Sequence, residues 1–136
     1  METRYLLDAN IVIYIRQNRP EGVLRRFAKM RPGEAAISVI AYGELLYGAM
    51  KSAQPDAVER LHQLREAIPA LPLPVNTAEA YGRIRADLAI RGEMIGNNDL
   101  WIAAHALAAE LTLVTNNEKE FRRVRGLKIQ NWAVYA

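Results

Sequence analysis

The sequence contains no cysteine and only two histidines, and this scarcity excludes several kinds of site. Without cysteine there is neither a disulfide framework nor a zinc site with thiolate ligands. The histidines, His62 and His105, form no HExxH zinc motif and complete no Ser-His-Asp triad, so we interpret them as packing or surface residues. The chain also lacks the GxxxxGKS/T loop that cradles nucleotide phosphates, and its glycines form no dinucleotide-binding motif.

Long apolar segments are also lacking. The most apolar stretch, Leu100–Val114, is too short to span a bilayer and is interrupted by His105 and Glu110. The first residues show no basic leader followed by an apolar run, so no signal peptide is predicted. We therefore expect a cytoplasmic protein without a membrane partner. Aromatic residues are sparse, and we interpret Trp101 and Trp132 as core or rim packing.

The composition is that of a globular protein, with 51% hydrophobic and 24% charged residues in 136. This length suits a single domain that covers residues 1–136. The net charge is only +3, which is weak evidence for a polyanionic partner. The basic residues gather in segments 16–31 and 122–128, and each group either faces phosphates or forms a solvated helix face.

Short apolar runs alternate with helical segments along the whole chain. The predicted strands are 5–7, 35–37, 111–115 and 127–130, and the proline-rich segment 69–74 is predicted to be a connector or an edge strand. The predicted helices are 10–17, 21–30, 39–51, 56–67, 78–91 and 98–110, with a short helical turn at 118–123. Ser38 is the expected cap of the third helix, Asn97 or Asn98 that of the sixth, and Gly92 ends the fifth. Because antiparallel neighbours need no helical crossovers, we predict an α/β fold whose sheet is mostly parallel, with helices on both faces.

Two acidic residues follow predicted strands. In an open parallel sheet, ligands bind beyond the carboxyl ends of the strands. Asp8 ends the first apolar run, and Glu120 lies a few residues after the strand that ends at Thr115. The alternative for Asp8 is an N-cap of the following helix, and Glu118 competes with Glu120 for the second position.

Two further acids lie on predicted helices, and we expect both to face inward. Asp99 shares its helical face with Ile102 and Ala103, although its place in the first helical turn also suits an acid. The apolar face that includes Glu44 consists of Ile40, Ala41, Tyr47 and Gly48. A carboxylate on such a face is costly to bury without a metal or a basic partner, and a buried ion pair or a surface position is the alternative.

Four acids near one another would favour a divalent cation. Neighbouring carboxylates raise one another's pKa, and a cation removes that repulsion. Mg²⁺ prefers oxygen ligands, keeps several waters and is usually held by one or two carboxylates directly. Such a site polarises a phosphate and activates water for in-line attack. We therefore predict that Asp8, Glu44, Asp99 and Glu120 are the catalytic acids of a small metal-dependent ribonuclease. The short polar groups of Thr115, Asn116 and Asn117 are placed to orient a carboxylate or to bind water.

Four stretches, in order, span nearly the whole chain: Tyr5–Asn10 (YLLDAN), Ser38–Gly48 (SVIAYGELLYG), Ile95–His105 (IGNNDLWIAAH) and Leu113–Phe121 (LVTNNEKEF), with Trp132 closing the pattern. With these stretches the chain resembles the PIN-domain nucleases and, among them, the VapC toxins of bacterial toxin–antitoxin pairs. The resemblance implies a three-layer α/β/α sandwich that cleaves RNA with Mg²⁺ or Mn²⁺.

The resemblance also assigns roles to residues. Asp8, Glu44 and Asp99 match the acids of the family and are the expected metal ligands. Asn10 matches a small polar residue beside the first acid, and Thr115 matches one that supports the site.

The fourth acidic position is left open by the resemblance. Many members of the family have Asp where this chain has Asn117, and the nearest acid on the family's alternative pattern is Glu120. Glu120, Glu118 and Asn117 are therefore the candidates, and we do not predict a second metal ion.

Several partners are implied by the resemblance alone. VapC toxins are usually homodimers, and a cognate VapB-type antitoxin blocks the site with a C-terminal segment. The complex binds its operator DNA through the antitoxin. The usual substrates are structured RNAs, and tRNA in particular.

Two other functions are compatible with parts of the pattern. A phosphatase with an aspartyl-phosphate intermediate would use Asp8 as its nucleophile, but phosphatases that resemble haloacid dehalogenases have a second Asp where this chain has Asn10. A non-catalytic binding module would use the acids only to hold a structural ion or a basic partner.

Overall fold

Short strands alternate with helices across residues 2–133, the part of the chain that this computed structural model describes. The strands are β1 (Tyr5–Leu7), β2 (Ala35–Ser38), β3 (Ala70–Leu71), β4 (Thr112–Val114) and β5 (Ile129–Gln130). The helices are α1 (Ala9–Gln17), α2 (Glu21–Ala28), α3 (Val39–Lys51), α4 (Ala57–Leu64), α5 (Thr77–Arg91), α6 (Asn97–Ala108) and α7 (Glu118–Phe121). Within the described range, no helix combines the length and the apolarity needed to cross a membrane.

The strands form one sheet in the order β3-β2-β1-β4-β5, and every neighbouring pair is parallel. Strand β1 is central, so that Leu7 aligns with Ile37 on one side and with Val114 on the other. The predicted α/β fold with a mostly parallel sheet is therefore confirmed. The proline-rich segment contributes β3 at one edge, where a strand lacks a partner on one side and tolerates proline nearby.

The connections between strands reverse direction at the centre of this sheet. The chain moves from β1 to β2 and β3 in one direction, and from β4 to β5 in the other. Because parallel crossovers are right-handed, the reversal places α1–α4 on one face and α5 and α6 on the other, which gives the expected three layers. The crevice between β1 and β4 is thus the topological switch point, where open α/β sheets bind ligands.

The core lies on both faces of the three central strands. Leu6, Leu7 and Leu113 are fully buried, and all belong to one connected hydrophobic cluster. Trp132 joins this cluster from the segment after β5 and packs edge-on against Tyr5, with ring centroids 5.4 Å apart. The interpretation of Trp132 as a core residue is therefore confirmed.

The predicted helix caps are right in two cases and wrong in one. The Ser38 hydroxyl accepts a hydrogen bond from the Ile40 amide at 3.2 Å, and Gly92 ends α5 in the left-handed region with φ +67°. The cap of α6, however, is Gly96, and both asparagines proposed for that role lie within the first helical turn. Their side-chain amides form hydrogen bonds with Tyr81 and Glu44 instead. Helix α4 ends at Leu64, three residues before the predicted end at 67.

The buried strand β1 should be sensitive to loss of side-chain volume. We expect Leu6→Ala to lower the free energy of unfolding by about 2–5 kcal/mol, because it leaves a cavity in the centre of the sheet. Urea denaturation measures this change. Ile90→Ala on α5 is the control, since Ile90 is 87% exposed and its truncation should change the stability by less than about 0.5 kcal/mol. Equal effects of the two substitutions would contradict the assignment of β1 to the core.

Candidate active site

Asp8 lies at the switch point, directly after β1. Its backbone amide donates to the Val114 carbonyl at 2.9 Å, which extends the sheet by one residue. One carboxylate oxygen accepts from the Ala9 amide at 2.8 Å, and the other accepts from the Thr115 hydroxyl at 2.9 Å. Burial raises the pKa of Asp8, while both hydrogen bonds oppose that increase. Asp8 therefore caps α1, as its alternative reading proposed, and also stands in the crevice.

Thr115 links Asp8 to a second acid. The Thr115 side chain is completely buried, and its hydroxyl donates to Asp8 and accepts from the Asn117 amide at 2.9 Å. The Asn117 side chain in turn donates to Glu120 at 3.1 Å. The turn after β4 therefore fixes both carboxylates, so the polar groups of Thr115 and Asn117 orient acids, as the sequence suggested. The neighbouring Asn116 is exposed and donates to the Tyr14 hydroxyl instead.

Asp99 is the acid whose pKa is affected by the charges of all three others. Its pKa is raised to about 6, first by burial and then by the charges of Asp8, Glu120 and Glu44. The close approach of the Glu120 side chain raises this pKa further. The expected core-facing direction is correct, since Ile102 and Ala103 on the same helix are fully buried. The fold therefore brings the four predicted acids close enough to interact.

Glu44 also lies near this cluster, but its side chain is not on the core-facing side of α3, where the sequence placed it. Its side chain is exposed, because α3 turns Ala41, Tyr42 and Leu45 toward the core. Tyr47, which was assigned to the apolar face with Glu44, is 65% exposed. The expectation of a buried Glu44 is therefore wrong. Glu44 lies at the rim, where it lines an open depression with residues 96–99 and accepts a 3.4 Å hydrogen bond from Asn98.

The remaining two site residues proposed from the sequence are Glu118 and Asn10. Glu118 forms a salt bridge with Arg122 at 2.7 Å and accepts from Asn131 at 3.0 Å, and these contacts lower its pKa. Glu118 is thus engaged outside the crevice, whereas Glu120 contacts Asp99. Asn10 is exposed on the first turn of α1.

The donor set suits a hard divalent cation. Within residues 2–133, none of the four acids forms a salt bridge, so protein cations do not neutralise their mutual repulsion. Over the same range, no three acidic or histidine side chains are already spaced as the ligands of one ion. Mg²⁺ does not require such a chelate, because it keeps several waters and takes one or two carboxylates. The raised pKa of Asp99 and the all-oxygen donors therefore fit this ion.

One member of the second basic group, Arg123, supports the site structurally, whereas Arg122, Arg125 and Lys128 are exposed. Arg123 donates to the carbonyls of Glu93 and Met94, and Arg91 donates to the Arg123 carbonyl. These bonds join the loop that precedes α6 to the segment that follows α7. Because α6 carries Asp99 and α7 carries Glu120, this brace fixes the elements that present two of the acids.

The sequence reasoning missed the second role of the asparagines before Asp99. Asn98 donates to Glu44, and Asn97 accepts a 2.7 Å hydrogen bond from the Tyr81 hydroxyl. Two consecutive amides beside an acid were a signal for polar recognition, but a role as a helix cap explained them equally well.

The two histidines lie outside the crevice. His62 forms a hydrogen bond with Tyr42, and His105 is buried, which lowers its pKa.

Comparison with known proteins fits this geometry. A family model described as the PIN domain matches residues 5–127, from β1 to the residues just before β5. The chain belongs to the PIN-domain family. Ribonuclease VapC2 of Haemophilus influenzae is 40% identical over 130 residues, covering 95% of this chain and 98% of that protein. The tRNA(fMet)-specific endonuclease VapC of Shigella flexneri is 37% identical over 131 residues, covering 96% and 98%. This PIN domain is a VapC-type ribonuclease toxin, and the phosphatase and binding-module alternatives are set aside.

Solved structures of VapC complexes share the fold. VapBC-1 from nontypeable Haemophilus influenzae aligns with a TM-score of 0.88 and 36% identity, covering 97% of this chain and 100% of that one. VapBC2 from Rickettsia felis, bound to a DNA fragment from its promoter, aligns with a TM-score of 0.83 and 33% identity, covering 96% and 99%. The three-layer PIN-like fold of the chain is therefore shared with proteins of the same family.

The charge repulsion in this PIN domain should appear as a pH-dependent loss of stability. We expect Asp99→Asn to raise the free energy of unfolding in chelator at pH 7.5, by on the order of 1–3 kcal/mol, because it removes the crowded charge. The folded pKa of Asp99 lies near 6 and the unfolded one near 3.8, so the charge destabilises the fold fully above pH 6. The gain should shrink as the pH falls below 6, and urea denaturation at pH 7.5 and 4.5 measures it.

Glu118→Gln is the matched control for that experiment. The pKa of Glu118 is lowered by Arg122, so its charge favours the folded state and its loss should not stabilise the protein. A gain for Glu118→Gln equal to that for Asp99→Asn would show that repulsion within the crevice is not the cause.

Proposed function

We propose that this chain is a metal-dependent endoribonuclease whose site is the crevice between β1 and β4. The observation that carries the proposal is the crowding of Asp99 by Asp8, Glu120 and Glu44, without a salt bridge to any of them in residues 2–133. Such repulsion destabilises the fold, and a bound cation would convert it into binding energy. The membership in the PIN family supports the same assignment.

We assign Asp8 and Asp99 as the principal metal ligands, with Glu44 reaching the ion from the rim. A bound Mg²⁺ or Mn²⁺ would polarise the scissile phosphate and lower the pKa of an attacking water. Thr115 holds the Asp8 carboxylate in one orientation, and Asn117 does the same for Glu120. Glu120 is the fourth catalytic acid in this proposal, and it lies close enough to Asp99 to raise the pKa of that group.

The substrate that we propose is structured RNA, and tRNA in particular. The support is the VapC of Shigella flexneri, whose name describes a tRNA(fMet)-specific endonuclease. The similarity extends over 96% of this chain, so it includes the crevice and the elements around it. A tRNA substrate would place the enzyme in the cytoplasm.

We further propose that the chain has protein partners. Relatives were solved as VapBC complexes, one of them with promoter DNA, and this supports a VapB-type antitoxin that blocks the crevice and binds operator DNA. Two experiments would test this: joint purification with the product of a neighbouring small reading frame, and operator binding by the complex but not by this chain alone.

A homodimer is also proposed. It is supported by an apolar stripe on α3, formed by the exposed side chains of Val39, Tyr47 and Met50.

Metal-dependent cleavage tests the central proposal. Purified protein incubated with total cellular RNA should give a few discrete products with Mg²⁺ or Mn²⁺ and none with chelator. Asp8→Asn and Asp99→Asn should each reduce the rate at least about 100-fold, because an amide does not supply the charge that holds the ion. Glu118→Gln should keep most of the activity. Full activity of both aspartate variants would disprove the assignment of the site.

Glu120→Gln separates the fourth acid from its neighbour. We expect a loss of cleavage at least ten times larger than for Glu118→Gln, since Glu120 contacts Asp99 and Glu118 is paired with Arg122. Initial rates on one purified tRNA measure the difference. Equal losses would assign no special role to Glu120.

A panel of purified tRNAs tests the substrate class. Initiator tRNA should be cut faster than elongator methionine tRNA, because the VapC of Shigella flexneri is named as a tRNA(fMet)-specific endonuclease. Sequencing of the product ends would give the position of the cut. Uniform cleavage of all tRNAs and of an unstructured RNA would reject selective action on tRNA.

The oligomeric state can be tested at α3. Light scattering should report a dimer for the purified chain, and Tyr47→Glu should shift it toward the monomer, because the substitution puts a charge on the apolar stripe. Val75→Glu serves as a control, since Val75 is 94% exposed but lies outside α3. A monomer in the unsubstituted chain would overturn this part of the proposal.

A further inference from the structure

Two aromatic rings are stacked beside the N-terminus of α6. Tyr81 of α5 and Trp101 of α6 face each other with ring centroids 3.8 Å apart and planes only 13° apart. Both side chains are partly exposed, whereas the other tryptophan, Trp132, is 1% exposed. The pair therefore presents partly exposed aromatic surface beside α6, the helix that carries Asp99, and Trp101 lies about 200° around that helix from Asp99.

Hydrogen bonds connect this stack to the rim of the crevice. The Tyr81 hydroxyl donates to the Asn97 side chain at 2.7 Å, and it accepts from the Arg85 guanidinium at 2.6 Å. The next residue, Asn98, donates to Glu44. The aromatic pair is thus held at a fixed position relative to two of the four acids.

Arg85 has a charge without an acidic partner. It is exposed and forms no salt bridge with any residue in the range 2–133, and its only hydrogen bond there is to Tyr81. On the same helix, by contrast, Asp87 pairs with Arg91 and lies 3.6 Å from Arg125. A cation that is fixed by a tyrosine hydroxyl near an acidic crevice is placed to contact a phosphate group of the substrate.

We propose that Tyr81, Trp101, Arg85 and Asn97 form an RNA subsite that binds a nucleotide next to the scissile phosphate. An unpaired base would stack on the Tyr81–Trp101 pair, and Arg85 would contact the adjoining backbone phosphate. Proteins recognise single-stranded RNA by such stacking on aromatic side chains, often together with arginine. The subsite rests on the proposed ribonuclease function and specifies that the substrate is unpaired at this nucleotide.

Binding measured without cleavage tests the subsite. Asp8→Asn is the parent protein, and the probe is a fluorescently labelled tRNA at fixed salt. Trp101→Leu and Arg85→Gln, each added to the parent, should raise the Kd about tenfold, while Trp101→Phe should retain most of the affinity because it keeps a ring. Arg83→Gln is the control for charge: it lies on the same helix, about 200° around from Arg85, and should change the Kd less than twofold.

Tryptophan fluorescence supplies a second readout. Because Trp132 is buried in the core, quenching on addition of tRNA should come from Trp101 and should disappear in Trp101→Phe. If Trp101→Leu does not fold, Arg85→Gln and Tyr81→Phe carry the test, since the latter keeps the ring but loses both hydrogen bonds.

The outcomes separate the two proposals. If the unsubstituted protein cuts RNA but Arg85→Gln and both Trp101 variants bind tRNA like the parent, the subsite is wrong and the ribonuclease assignment stands. If light scattering shows that Trp101→Leu disrupts a dimer while its Kd for tRNA is unchanged, a second copy covers the stack and the subsite is likewise overturned. If the unsubstituted protein cuts no RNA, the ribonuclease proposal itself fails.

Discussion

The contact between the Thr115 hydroxyl and the Asp8 carboxylate depends on the pairing of β1 with β4. These strands are parallel neighbours in register, so the residues that follow them emerge side by side at the carboxyl edge of the sheet. The connections leave this edge in opposite directions, which opens a crevice between the two strands. The positions of Asp99 and Glu120 relative to Asp8 follow from the helices that flank this crevice.

The crevice concentrates negative charge at the cost of stability. The hydrophobic core on both faces of the sheet offsets that cost, and the hydrogen bonds of Arg123 and Arg91 keep the acid-bearing elements from moving apart. Sites that bind or transform ligands often retain such unfavourable groups, because the energy becomes available when the ligand binds. The four crowded acids of this protein lie together beside the carboxyl ends of β1 and β4.

Much of the fold and part of the site could be predicted from the sequence. The alternation of apolar runs with helical segments identified the parallel sheet, and position after a strand identified Asp8. The direction of Glu44 could not be predicted, because α3 is apolar around most of its circumference and periodicity alone does not tell which side meets the sheet. Glu120 and Glu118 are both polar residues on one short helix, and only the contacts with Asp99 and Arg122 distinguish them.

The order in which the acids occur along the chain has a consequence for biosynthesis. Asp8 and Thr115 are 107 residues apart, yet their hydrogen bond is part of the site, and Asp99 and Glu120 also come from the last third of the chain. Domains fold as units during translation, with the first segments waiting for later ones. The growing polypeptide therefore lacks a complete crevice until its final third has left the ribosome. Up to residue 98, the nascent chain carries only Asp8 and Glu44 of the four acids, so the donor set for a metal ion is incomplete until the later elements are made.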